Sequence, residues 1–328
     1  MRVLFIGGTG TISAACAELA VAQGIDLWLL NRGQRDNVVA GAQVITADVR
    51  DPAALQAAVA GRTFDVVVDF IAYTAAHIEN DIAMFRGRCA QFIFISSASA
   101  YRKPPTRWPI DESCVLDNPF WQYSRDKIAC EERLVRAFRD ERFPITIVRP
   151  SHTYDRTLLP IFGGWTVVER MRRGAPVVVH GDGTSLWTLT HARDFAVGLV
   201  GLLGNQRAIG EAVHITSDDV LTWNHIHTII AQAAGAPAPR LVHAPAEIIA
   251  RCDSRWGDSM LGDKSHCLVF DNRKIRSLVP QFNAPTPYSH GAAEVIAWYD
   301  ADAARRRIDP AVDGVIDRLV ALMDGLQP

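Results

Sequence analysis

Tyr123 and Lys127 have the spacing with the clearest chemical meaning in this chain. They lie four residues apart in Trp121-Gln-Tyr-Ser-Arg-Asp-Lys127, a segment predicted to be helical. Four residues are about one helical turn, so both side chains lie on one face. A phenol beside an ammonium ion is an acid/base device, because the cation favours the phenolate and lowers the tyrosine pKa from about 10. Solvated surface pairs often have the same spacing, so the surrounding elements decide its meaning.

A glycine-rich loop stands near the N-terminus. Residues 3–6 are apolar, Gly7-Gly-Thr-Gly10 follows, and residues 11–23 are rich in alanine and helix-prone. Glycines let the backbone approach a pyrophosphate, and a helix N-terminus supplies free N–H groups and positive potential. Tight turns use glycines too, but the strand-loop-helix context favours a dinucleotide site. Ser13 stands where a third glycine is usual and is small enough for helix–strand packing.

The end of the second predicted strand bears on the choice of nicotinamide cofactor. A carboxylate there would bind the ribose 2′-hydroxyl, whereas an arginine accommodates a 2′-phosphate. The residues are Asn31-Arg32-Gly33, with Arg35 close behind and no acidic residue at the strand end. We therefore predict NADP(H), with NAD(H) as the alternative if Arg32 only stacks on adenine or faces solvent.

The elements that would position these groups alternate between strand and helix. Strands are predicted at 3–6, 25–30, 43–46, 64–70, 91–95 and 145–148, and helices at 11–23, from Asp51-Pro52, at 75–88 and at 120–142. The strongly apolar strands are typical of a parallel sheet buried on both faces. The alternation predicts an α/β fold: a Rossmann-type doubly wound parallel sheet with a smaller, mixed C-terminal substrate domain.

The pattern loosens after Pro150. Helices are predicted at 222–234 and 291–307, and a proline-rich loop at 236–245. We predict a dinucleotide-binding domain at residues 1–154, with returning segments near 186–216. The predicted substrate-binding domain comprises residues 155–185 and 217–328.

Composition narrows the function class. Of 328 residues 48% are hydrophobic and 21% are charged, as in ordinary globular proteins. The net charge of −2 gives no global basic field for nucleic acid or membrane. Six scattered cysteines without a CxxC indicate reduced thiols in a cytoplasmic protein. No stretch approaches the ~20 apolar residues of a membrane span, and the N-terminal apolar run is too short for a signal peptide.

Together the motifs resemble the extended short-chain dehydrogenase/reductase family, the NAD(P)-dependent sugar epimerases and dehydratases. The resemblance runs from Met1 to about Leu278. Its motifs are the Gly7–Ser13 loop, Asp48-Val49, Asp69-Phe-Ile-Ala72, Phe94-Ile-Ser-Ser-Ala-Ser-Ala-Tyr101, the Tyr123–Lys127 pair, Arg149-Pro150 and Gly181-Asp-Gly183. The Asn-Arg-Gly sequence is also similar to the chloroplast stem-loop RNA-binding branch, and the whole chain looks closest to a bacterial branch.

The resemblance implies a catalytic role for Ser97, Tyr123 and Lys127. Tyr123 would be the acid/base, Lys127 would hold the ribose hydroxyls, and Ser97 would steady the reacting oxygen, with Ser96 and Ser99 as nearby alternatives. The residues implied to contact the cofactor are Gly7, Thr9, Gly10, Thr11, Ile12, Asn31, Arg32, Asp48, Val49, Ile71, Ala72, Ser96, Tyr123, Lys127, Pro150 and His152.

One position departs from the family pattern. Residues 181–191 are similar to the GDGxxxRDxxH segment, whose arginine holds the diphosphate of a nucleotide sugar, but that position is Trp187 here. An indole cannot form a forked pair with phosphate, although it can stack on a sugar or base ring. A free sugar, glycoside, nucleoside or other polyol therefore competes with a nucleotide sugar as substrate. The alternative is that Trp187 belongs to the core and that Arg193 or Arg273 takes a phosphate.

Other candidates are less specific. Trp121 and His152 are predicted to bind substrate, with core packing or a structural role as the alternative, and Lys103 is expected to be solvated. His225 and His227 would point to different sides of a helix, so we predict no metal site.

The expected activity is hydride transfer at a secondary alcohol or ketone of a sugar-like molecule, with Tyr123 moving the proton. Epimerase and net reductase are not separated by these residues, whereas dehydration is disfavoured because Gln122 stands where family dehydratases often carry an acid. A non-catalytic RNA-binding member is the alternative of another class, disfavoured by the intact catalytic residues and the negative charge. A homodimer through the catalytic helix is suggested by family analogy alone.

Overall fold

A computed structural model of the protein describes residues 1–33 and 39–325. Arg35 lies outside these ranges. The described strands are β1 (Arg2–Ile6), β2 (Asp26–Asn31), β3 (Gln43–Thr46), β4 (Phe64–Asp69), β5 (Cys89–Ile95), β6 (Ile145–Pro150), β7 (His152–Tyr154), β8 (Val177–His180), β9 (Leu186–His191), β10 (Ala212–Ile215), β11 (Val220–Thr222) and β12 (Leu241–Ala244). The described α-helices are α1 (Thr11–Ala22), α2 (Pro52–Ala58), α3 (Ala75–Phe85), α4 (Gln122–Glu141), α5 (Trp165–Arg172), α6 (Ala192–Leu202), α7 (Trp223–Ala233), α8 (Ala246–Cys252), α9 (Ser254–Ser259), α10 (Arg273–Leu278), α11 (Tyr288–Asp300) and α12 (Pro310–Asp324).

Seven of the described strands form one sheet in the order β3-β2-β1-β4-β5-β6-β10. Every pairing in it is parallel. Successive residues of β4, Val66 to Val68, are fully buried, so this strand is covered on both faces. The first six strands have the order of a Rossmann fold. The predicted doubly wound α/β class is confirmed.

Smaller sheets surround a second core. β7 pairs in parallel with β9, β11 pairs antiparallel to β9, and β8 pairs in parallel with β12. Their apolar side chains pack in one cluster with those of α5, α7, α11 and α12, including Trp165, Trp187 and Trp223. This is the smaller mixed part that the sequence predicts. β9 belongs to it, whereas β10 returns to the large sheet, and the exact division into two domains stays a prediction.

Local signals set several element ends as predicted, and tertiary pairing sets others. The Asp51 carboxylate accepts the N–H groups of Ala53 and Ala54, so α2 begins as its Asp-Pro sequence indicates. The predicted helix 291–307 is wrong in its bounds, because α11 ends at Asp300 and Asp309 caps a separate helix, α12. The predicted loop 236–245 contains β12, which exists through its pairing with β8.

Among the described helices, none is both long and apolar enough to cross a membrane. Within the same residues, no group of three or more His, Cys, Asp or Glu side chains could hold a metal ion. His227 is buried with Nδ1 2.8 Å from the Trp223 carbonyl oxygen.

Candidate active site

A cleft of about 750 Å³ opens at the carboxyl ends of β1, β2 and β4. Ligands of doubly wound sheets bind at this edge, where the strand order reverses. Ten of the residues predicted to contact the cofactor line this cleft: Gly7, Thr9, Gly10, Thr11, Ile12, Asn31, Arg32, Asp48, Val49 and Ile71. Its volume falls in the range of small-molecule pockets, about 300–1,000 Å³.

The glycine loop is shaped for close approach of a ligand. Gly7 has φ +84°, and a Cβ there would stand 2.6 Å from Ile71 Cγ2. Ser13 Oγ accepts the Gly10 N–H at 2.8 Å and donates to the Gly7 carbonyl at 2.7 Å, so it fixes the loop as well as packing beneath it. The N-cap residue of α1 is Gly10, which has no side chain, and this helix N-terminus borders the cleft. These residues fit a dinucleotide pyrophosphate.

Two arginines border the same cleft beyond β2. Arg32 is exposed at the strand end, where Asn31 Oδ1 accepts the Gly33 N–H at 2.9 Å. Arg50, which the sequence analysis did not name, donates its backbone N–H to Asp48 Oδ1 at 2.9 Å. Its guanidinium lies 3.4 Å from the Ile71 carbonyl oxygen. This part of the cleft therefore offers two guanidinium groups beside one carboxylate.

Lys127 holds together two strand ends below the cleft. Its buried Nζ donates to the carbonyl oxygens of Ala72 at 2.7 Å and Ile95 at 2.8 Å. It also lies 4.8 Å from the ring centre of Tyr73, a further cleft residue that sequence reasoning missed. Burial lowers the pKa of Lys127 to about 8, against the opposing charge of Asp69. The Lys127 ammonium is thus held by two carbonyl groups at strand ends that are distant in sequence from Lys127.

Tyr123 lies in a second, smaller pocket next to the cleft. Its ring centre is 4.9 Å from that of Trp121 and 6.3 Å from that of Tyr73, which lines the cleft. Burial raises the pKa of Tyr123 to about 12, and the nearby Ser97 hydroxyl opposes this shift. Lys127 Nζ lies 5.9 Å from the Tyr123 ring centre. The predicted net lowering of the Tyr123 pKa is wrong for this structure, because burial outweighs the effect of the Lys127 ammonium, which also donates to two carbonyls.

A chain of hydroxyl groups leads to Tyr123. Ser124 Oγ donates to Ser99 Oγ at 2.8 Å, and Ser99 Oγ lies 2.9 Å from Ser97 Oγ. Ser97 and Ser99 both line the pocket. Ser96 lines neither cavity, since its hydroxyl donates to Glu131 at 2.5 Å. Ser97 and Ser99, but not Ser96, therefore share a pocket with Tyr123.

The second pocket has a volume of about 210 Å³ and brings together the three predicted substrate residues, Trp121, His152 and Trp187. Trp187 Nε1 donates to His152 Nδ1 at 3.2 Å. Burial lowers the pKa of His152 to about 3, so the imidazole is neutral. Trp187 is only 2% exposed and packs on Trp223, so it belongs to the core as well as to the pocket wall.

Three predicted cofactor residues lie on the substrate side of the site. Tyr123, Pro150 and His152 line the pocket and not the cleft. Ala72 lines neither of these two cavities and accepts the Lys127 ammonium through its carbonyl. Cofactor contacts by these residues stay predictions.

The environments of three basic side chains differ from those that the sequence analysis considered. Arg193 pairs with Glu294 and Arg273 pairs with Asp271, and neither arginine lines the pocket. Lys103 is buried rather than solvated, and its Nζ donates to the Tyr101 carbonyl at 3.0 Å. The expectation of a solvated Lys103 is wrong.

The pocket also contains residues that the sequence analysis missed. They include Asp263 and Lys264, which lie on a π-helical turn at Met260–Lys264. No motif marks this segment in the sequence. Only the folded chain brings it against Trp121, where a Cβ on Gly262 would stand 2.6 Å from Trp121 Cβ.

Comparison with known proteins agrees with this geometry. Residues 3–216 match the model of the NAD dependent epimerase/dehydratase family. The chain belongs to this family. Its membership confirms the predicted enzyme class, an NAD(P)-dependent enzyme of the extended short-chain type.

Two relatives of the chain have names that describe different functions, one a reductase and the other a stem-loop binding protein. The 2'-dehydrokanamycin reductase of Streptomyces kanamyceticus is 29% identical over 314 residues, covering 91% of this chain and 84% of that protein. The chloroplast stem-loop binding protein of 41 kDa b of Arabidopsis thaliana is 24% identical over 256 residues, covering 74% of this chain and 65% of that protein.

Solved structures of the family share the fold. An epimerase from Methanothermobacter thermautotrophicus matches with a TM-score of 0.76 at 17% identity, covering 93% of this chain and 94% of that one. The UDP-glucose 4-epimerase of Bifidobacterium longum, solved with NAD+ and UDP, matches with a TM-score of 0.73 at 19% identity, covering 92% and 99%.

Proposed function

We propose that the protein is an oxidoreductase that interconverts a secondary alcohol and a ketone on a sugar-like molecule, with Tyr123 as its acid/base group. One observation carries this proposal. Tyr123 and Ser97 line the same small pocket, and Tyr73 of the adjoining cofactor cleft lies 6.3 Å from Tyr123 between ring centres. The Tyr123 phenol would therefore be a proton donor beside a nicotinamide bound in the cleft.

The residues would share the chemistry as follows. When bound, the nicotinamide supplies or accepts hydride. The neutral phenol of Tyr123 donates its proton to the ketone oxygen, while the hydroxyl of Ser97 hydrogen-bonds that oxygen. Ser99 and Ser124 orient Ser97, and the Lys127 ammonium, one helical turn from Tyr123, stabilises the phenolate that remains. Alcohol oxidation uses the same groups in reverse.

The pH profile of reduction follows from Lys127. Its pKa is lowered to about 8 from an ordinary value of 10.5, so the ammonium is present below pH 8 and is lost above it. Tyr123 stays protonated through this range. We expect kcat/KM for ketone reduction to fall as pH rises through about 8, measured by initial rates at subsaturating ketone. A rise through that range would contradict the assigned role of Lys127.

NADP(H) is the proposed cofactor, supported by Arg32 and Arg50 at the cleft and by the lack of a carboxylate at the end of β2. Arg32→Ala should weaken NADPH binding by about 10- to 100-fold, because a charge-assisted pair contributes about 1.5–3 kcal/mol. NADH binding should change little. Fluorescence titration of both cofactors, with exposed Arg255→Ala as the control, tests this expectation. Equal affinities that Arg32→Ala leaves unchanged would rule it out.

Net reduction is the first candidate reaction, because the chain is similar to a reductase over 91% of its length. Epimerase activity is the second candidate, since family membership favours it.

Cofactor consumption separates these candidates. The protein should consume NADPH in proportion to ketone when it is screened against ketones of sugars, glycosides and nucleosides. An epimerase would convert sugars without changing bulk NADPH. Salt-sensitive RNA binding without any turnover would contradict both and favour the RNA-binding alternative, which the net charge of −2 disfavours.

A further inference from the structure

Lys264 is an ammonium in the substrate pocket without an acceptor among the described residues. Its Nζ lies 5.2 Å from the ring centre of Phe162, 5.5 Å from that of Trp187 and 5.8 Å from that of Trp121. Burial lowers the pKa of Lys264, and the nearby Asp263 carboxylate opposes this shift. Aromatic faces stabilise a cation only partly and leave its hydrogen-bond donors unused.

The backbone of Lys264 is fixed. Its carbonyl oxygen accepts three hydrogen bonds, from His180 Nε2 at 2.9 Å, Trp223 Nε1 at 3.1 Å and Ser185 Oγ at 3.2 Å. The preceding Gly262 carbonyl accepts from Asn118 Nδ2 at 2.7 Å. These hydrogen bonds fix the backbone from which the Lys264 side chain enters the lining of the pocket.

The carboxylate that lines the pocket has an ion-pair partner other than Lys264. Asp263 Oδ1 lies 3.6 Å from Nζ of the buried Lys103, which does not line the pocket. His152 is neutral because burial holds its pKa near 3. Among the described residues that line the pocket, Lys264 is therefore the basic side chain that forms no ion pair within 4.0 Å.

We propose that the substrate carries an anionic group, a carboxylate or a phosphate, that binds to Lys264. This inference rests on the proposed function, since it takes the pocket beside Tyr123 to be the substrate site. Lys264 is half-buried and lines the pocket, and a substrate anion would supply the charge-assisted hydrogen bonds that its Nζ does not form within the described protein. The ring of the substrate would lie against Trp121 and Trp187. The substrate class is thus an acidic sugar, and an amino sugar would add a second cation to the pocket.

Binding to the full-length protein saturated with NADP+ tests the proposal. The probes are D-glucuronate, D-glucose 6-phosphate, D-glucose and D-glucosamine, titrated by calorimetry. At least one anionic probe should bind about 10-fold or more tightly than glucose, and glucosamine should bind more weakly than glucose. The two anionic probes distinguish a carboxylate from a phosphate.

Variants of Lys264 test whether its ammonium causes the preference for anionic probes. Lys264→Met should abolish the preference for the anion, and Lys264→Arg should retain part of it. Lys274→Met serves as the control, because Lys274 pairs with Glu211 outside the pocket. Equal or absent binding of the anionic probes, or a preference that survives in Lys264→Met, overturns the inference. NADPH binding is measured separately in the wild type and in every variant. If the wild type does not bind NADPH, that result counts against the proposed function and not against the role of Lys264.

Discussion

Tyr123→Phe is expected to lower kcat by about two to four orders of magnitude, the usual contribution of a positioned acid/base group. The phenol shares the substrate pocket with Ser97, and its ring lies beside that of Tyr73 in the cofactor cleft. The substitution removes one oxygen and keeps the ring that packs on Trp121 at 4.9 Å between centres. The KM for the ketone should therefore change little. Steady-state kinetics with NADPH gives both constants.

Tyr73→Phe is the matched control for that variant. Tyr73 is 41% exposed and its ring centre lies 6.3 Å from that of Tyr123, so the same atom is removed from a neighbouring ring. Its turnover should stay within a few-fold of the wild type. Wild-type turnover in Tyr123→Phe, or an equal loss in Tyr73→Phe, would remove Tyr123 from its assigned role.

Glu131→Ala is expected to lower the free energy of unfolding by about 3–5 kcal/mol, because it leaves a buried charge without its partner. Glu131 is 2% exposed and Arg149 is 5% exposed. Arg149 donates to the carboxylate through Nη2 at 2.6 Å and Nε at 3.0 Å, and Ser96 donates from the other side. Arg149 lies on β6, which leads into the pocket wall at Pro150.

Urea denaturation followed by circular dichroism measures this loss. Glu211→Ala provides the comparison, because Glu211 pairs with Lys274 at 2.6 Å on the surface with 45% of its side chain exposed. That change should cost about 0–1 kcal/mol. Similar losses in the two variants would show that burial does not set the strength of the Glu131–Arg149 pair.

The sequence predicts the parts of this protein that depend on local spacing. The glycine loop, the Asp51-Pro52 helix start and the placement of Tyr123 and Lys127 on one face of α4 each follow from a few neighbouring residues. The doubly wound parallel sheet follows from the strand–helix alternation, whereas its strand order is seen only in the structure. The structure also unites Trp121, His152 and Trp187 in one pocket, as predicted from the family pattern and its one departure.

Features that depend on burial were not accessible from the sequence. Spacing alone suggests that Lys127 lowers the pKa of Tyr123, but enclosure by distant elements raises that pKa to about 12. The environment of Lys103 is similarly set by Asp263, which is far away in sequence. Lys264 reaches the pocket through a π-helical turn for which the sequence shows no marker.

Transfer of deuterium from NADPH that carries deuterium at both positions of C4 is the most direct test of the central claim. The ketone would be the one that supports NADPH consumption, and mass spectrometry would follow the label in the product alcohol. We predict one deuterium on the former carbonyl carbon for each NADP+ formed by the wild type, and a rate lower by about two to four orders of magnitude in Tyr123→Phe. Unlabelled product, or labelling at the wild-type rate in Tyr123→Phe, would contradict the account.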